Sequence, residues 1–185
     1  MAESVDEKSL ARAIDVIAKS KTILFCGSGT SGGLAQVAAS IFQNTGIKCL
    51  HIPDELVQIR FAHTLEPNDL VIGITNCGYI KTVVDTLKIS HRRNVPTICI
   101  TGTPKSLAAR YADIVISTHT APFQNSTDQT PIIMAVMTII NVLQIGYSIK
   151  NADKVKSSRE DILAIAEFKR YKSNLTNLEI GRVKV

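Results

Sequence analysis

Short, uninterrupted apolar runs alternate along this chain with segments whose apolar residues recur every three to four positions. No other feature of the 185 residues restricts the fold so tightly. The runs lie at 22–26, 47–52, 70–75, 97–101 and 113–117, and helical spacing or a helix-start signal marks 54–63, 80–92 and 105–111. Leu34, Val37, Ala38, Ile41 and Phe42 mark another helix, which Gly46 stops. Runs such as Val71-Ile72-Gly73-Ile74 are apolar at successive residues, as strands covered on both faces must be. Parallel strands need crossovers of a dozen or more residues, which the helical segments supply. The expected fold class is α/β: a doubly wound five-stranded parallel sheet in flavodoxin-like order 2-1-3-4-5, flanked by helices as three α/β/α layers.

The ends extend this core. Ser4 and Glu7 have capping-box spacing, and Leu10, Ala13, Ile14 and Ile17 carry a first amphipathic helix to about residue 19. After a polar loop at 118–129, an apolar helix is expected at 131–149. Ser157 or Ser158 is expected to cap a last helix at 159–171. The division expected is a ligand-binding domain over 1–150, including the first helix, and a C-terminal helix with polar tail over 151–185.

Charge and cysteine content narrow the partners. The net charge of +5 suits phosphate-bearing ligands, but the basic residues are scattered and form no nucleic-acid arm. The longest apolar run, 131–143, is interrupted by Thr138 and Asn141 and falls short of the ~20 residues that cross a bilayer. The chain opens with Glu3, Asp6 and Glu7 and not with a basic and apolar leader, so a cytoplasmic location with no membrane partner is expected. Cys26, Cys49, Cys77 and Cys99 have no CxxC spacing and read as reduced thiols. The four histidines have no paired spacing, so no metal site is expected.

In an open parallel sheet, ligands bind beyond the carboxyl ends of the strands at the point where strand order reverses. Here that point lies between the first and third strands, which end in Gly27-Ser28-Gly29-Thr30-Ser31-Gly32-Gly33 and Thr75-Asn76-Cys77-Gly78-Tyr79. Each loop leads into a helix N-terminus, where unpaired N–H groups and the dipole favour an anion. The glycines admit close approach, and Ser28, Thr30, Ser31 and Thr75 can donate to phosphate oxygens. Gly27, Gly29 and Gly32 also match GxGxxG, with Asp54 about twenty residues on, so a dinucleotide is a competing ligand. Against it, the loop is filled with hydroxyls and the chain lacks a second lobe for a hydride acceptor. No cofactor is expected.

These stretches resemble the sugar isomerase (SIS) domain over roughly residues 10–146. Phe25-Cys26-Gly27-Ser28-Gly29-Thr30-Ser31-Gly32 is similar to the family's F-G-x-G-x-S-G turn. Asp69-Leu70-Val71-Ile72-Gly73-Ile74-Thr75-Asn76-Cys77-Gly78 resembles the stretch ending in S-x-S-G-x-T. Ile98-Cys99-Ile100-Thr101 and Leu107-Ala108-Ala109-Arg110-Tyr111-Ala112-Asp113-Ile114-Val115 resemble a further shared stretch, "I-A-I-T … S-x-L-A-x-x-A-D-I-V". The opening helix and Asp54 look most like the effector domains of RpiR-type transcriptional regulators. The resemblance implies binding of a small phosphorylated sugar without catalysis, a homo-oligomer (dimer or tetramer), and DNA contact only through a helix-turn-helix domain absent from this chain. It also departs from the family: Cys77 and Ile80 replace hydroxyl-bearing residues.

The expected ligand contacts are Gly27, Ser28, Gly29, Thr30 and Ser31 on one side and Thr75, Asn76, Cys77 and Gly78 on the other, with Ser126 and Thr127 closing the pocket. Cys77 reads as a contact and not as a catalytic thiol. The alternative is a free-standing aldose-ketose isomerase, which needs a base to move a proton between carbons. Its candidates are Glu55 or Asp128, with His119 opening the ring; Asp54 reads instead as a helix cap, and His51 as lying in or just beyond a strand.

Overall fold

The structure is a computed structural model that describes residues 6–120 and 129–168, with side chains as far as 163. The elements are α1 (Glu7–Lys19), β1 (Thr22–Cys26), α2 (Thr30–Gln43), β2 (Lys48–His51), α3 (Glu55–Ala62), β3 (Leu70–Ile74), α4 (Lys81–Arg92), β4 (Thr97–Thr101), a short 3-10 turn (Ala109–Tyr111), β5 (Ile114–Ser117), α5 (Thr130–Lys150) and α6 (Ala152–Phe168). The strands form one parallel sheet, as the alternation implies, in the expected order β2-β1-β3-β4-β5.

Period-2 alternation along each strand sorts the core into two layers. Ile23 and Phe25 of β1, Ile72 and Ile74 of β3, and Ile98 and Ile100 of β4 face α1, α2 and α5. Leu24 and Cys26, Val71, and Cys99 face α3 and α4. The α4 side is built from smaller residues. A Cβ on Gly73 would lie 2.9 Å from a methyl of Leu87, so that glycine makes room for α4 to pack down.

Three boundaries differ from the sequence reading. Asp6 caps α1, accepting from the Lys8 N–H at 3.0 Å and the Ser9 hydroxyl at 2.7 Å, whereas Ser4 lies outside the described residues. The segment at 105–111 yields only the 3-10 turn, because the Ala108 N–H is drawn to the Gly78 carbonyl at 2.9 Å instead of a helical partner. α6 begins at Ala152, directly after α5, and so passes through Ser157 and Ser158 without a cap there. Ser158 packs instead on Gly46 (φ 75°), where a Cβ would lie 1.9 Å from its hydroxyl oxygen.

α5 runs through the polar residues that interrupt its apolar stretch, because they bond back to the helix. Thr138 donates to the Met134 carbonyl at 2.8 Å and Asn141 to that of Met137 at 2.9 Å. The resulting 21-residue helix is long and apolar enough to cross a membrane by length and composition alone. In the fold, its Val136, Ile139, Ile140, Leu143 and Tyr147 are buried in the sheet's core. The apolar stripe of α1 is consumed against the same layer, through Ala13 and Ile17. Apolar residues left exposed on α5 and α6 are Met134, Val142, Ile145, Ile149 and Leu163; others stand elsewhere, at Val37 of α2, Leu56 and Val57 of α3, Tyr79 and Ile80 before α4, and Leu107.

Candidate functional site

The strand order brings the ends of β1 and β3 side by side, with Cys26 opposite Gly73. The β1–α2 turn begins at Gly27, which lies under the first turn of α2; a Cβ there would meet the Ser31 carbonyl oxygen at 2.4 Å. Gly29 caps α2 with φ 56° and ψ −129°, a backbone conformation that side chains rarely adopt. The first bond of α2 runs from the Gly33 N–H to the Gly29 carbonyl at 3.1 Å. The N–H groups of Thr30, Ser31 and Gly32 precede it and have no partner within the helix.

The β3–α4 turn is anchored from below. Gly78 (φ 73°) donates its N–H to the Thr75 hydroxyl oxygen at 3.2 Å. The Asn76 carbonyl accepts from the Gly102 N–H and from the hydroxyls of Thr101 and Thr103 at 3.1–3.3 Å. Those bonds fix the loop's backbone to β4 and its following turn, leaving Cys77 exposed at the surface. Ile80 takes the cap position of α4 and supplies no side-chain bond.

Between the two turns lies a cleft of about 290 Å³, lined by Ser28, Thr30, Ser31, Thr75, Asn76 and Cys77 together with apolar side chains and Gln129. The apolar wall, Leu34, Ile74, Ile80, Val83, Ile132 and Ile133, was not foreseen from sequence. The periodicity of α5 carried a hint of it, since Ile132 and Ile133 stand in that helix's first turn. No charged side chain lines the cleft among the described residues, so an anion there would be held by hydroxyls and by the N-termini of α2 and α4.

A second cleft, of about 260 Å³, opens on the other side of the β1–α2 turn. It is lined by Gly27, Ser28, Gly29, Gly32, Gly33, Gln36, His51, Pro53 and Glu55. Ser28 is the wall common to both. Its hydroxyl donates to Glu55 Oε1 of the second cleft at 2.5 Å. His51, which ends β2, was passed over in the sequence; it meets this cleft because β2 runs beside β1 with His51 opposite Phe25.

The remaining predicted residues are scattered. Gly78 lines neither cleft and serves the turn. Asp54 caps α3, accepting from the Val57 N–H at 2.9 Å, which is the capping role expected for it. Glu55 belongs to the second cleft, and His119, exposed after β5 with φ 49°, lines neither. Ser126, Thr127 and Asp128 lie outside the described residues.

Comparison with known proteins places this geometry in a wider setting. The SIS domain family model matches residues 16–145. An uncharacterized HTH-type transcriptional regulator of Thermotoga maritima is 27% identical over 165 residues, 89% of this chain and 59% of its own length. The HTH-type transcriptional regulator HexR of Escherichia coli is 26% identical over 184 residues, 97% of this chain and 62% of its own. The chain thus spans about three fifths of these relatives. The arabinose 5-phosphate isomerase KdsD of Escherichia coli is 33% identical over 93 residues, half of this chain and 28% of that one. Among solved structures, the sugar isomerase domain of an RpiR transcription factor from Sphaerobacter thermophilus superposes with TM-score 0.74 at 19% identity, covering 86% of this chain and 88% of that one. The Vibrio vulnificus NanR protein complexed with ManNAc-6P gives TM-score 0.78 at 19% identity, covering 90% and 62%. At such identities the structural likeness carries the fold.

Proposed function

The chain belongs to the SIS domain family, and from that premise we propose that it binds a phosphorylated sugar as the sensor domain of an RpiR-type regulator, without catalysis, in the cytoplasm. The observation that supports this most is the convergence of two glycine- and hydroxyl-bearing turns on one cleft, each at the start of a helix. Phosphate would sit against the first turn of α2, on the N–H groups and hydroxyls of Thr30 and Ser31, with Thr75, Asn76 and Cys77 opposite. The regulator relatives, and a structural neighbour solved with a sugar phosphate, support the same reading. Any DNA contact would be made by a separate helix-turn-helix domain.

The isomerase reading has the KdsD similarity in its favour. Its base among the described residues would be Glu55, which lies outside the first cleft and is engaged by Ser28. We further propose that the chain pairs with a second copy through the uncovered apolar residues of α5 and α6.

The test is a thermal-shift screen against sugar phosphates, their unphosphorylated counterparts and NAD(H). A ligand at a hundred times its Kd stabilises by about 2.7 kcal/mol, a shift of several degrees. The expected result is a shift that requires the phosphate, with no turnover of the ligand. A shift with NAD(H) alone, or isomerisation of the bound sugar, would overturn the proposal.

A further inference from the structure

We propose that the second cleft receives the sugar tail of the same ligand and selects a neutral or amino-bearing polyol against a sugar acid. This rests on the phosphosugar reading above. The two clefts share Ser28 as a lining residue, and in this proposal a ligand with its phosphate on one side of the β1–α2 turn extends its tail across that residue to the other. Beside the Gln36 amide, which can donate or accept, the tail meets two acceptors there. Glu55 presents a half-buried carboxylate. His51 Nδ1 lies 3.0 Å from the Phe25 carbonyl oxygen, which can only accept, so Nδ1 carries a hydrogen and Nε2 is the ring's one position able to accept. Nε2 points over the glycine floor, 3.9 Å from where a Cβ of Gly32 would stand. A carboxylate entering this cleft meets the like charge of Glu55, whereas hydroxyls or an ammonium find a partner in it.

Ser28 couples the two clefts. Its single hydrogen goes to Glu55 in the structure, which leaves it with none for a phosphate. A hydroxyl or ammonium of the ligand tail that donates to Glu55 in its place frees that hydrogen to turn toward the first cleft. Full affinity therefore requires phosphate and donor-bearing tail in one molecule.

The test is calorimetric titration of the chain with glucose 6-phosphate, glucosamine 6-phosphate, 6-phosphogluconate and inorganic phosphate, repeated on Glu55→Gln and Ser28→Ala. The wild-type chain is expected to bind the two sugars on the order of tenfold more tightly than 6-phosphogluconate, for one like-charge contact in a partly solvated cleft. Glu55→Gln shrinks that gap to within threefold. Ser28→Ala lowers the ratio of glucose 6-phosphate to inorganic phosphate affinity, so the inference is tested even if one variant fails to fold. An undiminished gap in Glu55→Gln, or 6-phosphogluconate as the tightest wild-type ligand, overturns this inference and leaves the phosphosugar reading standing. No binding by any of the four compounds overturns both.

Discussion

Replacing Gly27 by alanine tests whether the β1–α2 turn is as tight as the site requires. A Cβ there would lie 2.4 Å from the Ser31 carbonyl oxygen, 2.6 Å from its carbon and 2.8 Å from the Gly32 nitrogen. All three are backbone atoms of the first turn of α2, so no side-chain rotation makes room. Ordinary contact begins near 3.4 Å, so that turn must withdraw by about 1 Å, taking the anion-facing N–H groups with it. Overpacking of this kind costs about 1–3 kcal/mol. At about 2–4 °C per kcal/mol for a chain of this size, the melting temperature should fall by roughly 2–12 °C. Gly33, one turn on, is the control: no heavy atom lies within 4 Å of its would-be Cβ. As a helical glycine in open space, its change to alanine should stabilise by about 0.5–1 kcal/mol. Urea unfolding followed by circular dichroism measures both, with phosphosugar affinity measured alongside. If Gly27→Ala matches the wild type in midpoint and in affinity, the tight-turn argument is wrong.

Three further outcomes follow from the same geometry. Cys77 is the exposed thiol, whereas burial pushes Cys49 and Cys99 up to about 12 and Cys26 upward as well; native alkylation at pH 8 read by mass spectrometry should therefore mark Cys77 first, and saturating ligand should slow it. Uniform labelling of all four would contradict the burial of the other three. Ser31→Ala removes a hydroxyl from the proposed anion site and should weaken phosphosugar binding by about 1.5–3 kcal/mol, roughly tenfold to a hundredfold by calorimetry, with little change in melting temperature. The wild-type chain should sediment as a dimer at micromolar concentration and Ile145→Asp as a monomer, since Ile145 stands 54% exposed on the bare face of α5; a wild-type monomer at high micromolar concentration would end that proposal.

Much of the molecule was legible in advance because its signals are local. Short apolar runs rich in β-branched residues, such as Thr97–Thr101, read as strands buried on both faces, and the intervening helices supply parallel crossovers. The two turns were legible for the same reason: glycine clusters directly after a strand and before a helix mark where a backbone must bend sharply. Two of the boundaries that differ were decided by contacts across the fold. The 105–111 segment loses its helix to the Gly78 carbonyl, far from it in sequence, and Ser158 is spent on Gly46 and not on a cap.

By itself, then, the sequence marked the alternating layers, the strands and the two glycine-bearing turns. These depend on periodicity and on what glycine permits, both readable within a dozen residues. The tertiary structure alone decided which way Ser28 points. Its partner Glu55 is 27 positions away, and His51 is 26 positions from the carbonyl that orients it. Both distances close only because β2 returns beside β1 in a register that sets His51 against Phe25. A side chain's hydrogen-bond partner is chosen by what packing brings within about 3 Å, and residue type alone cannot specify that.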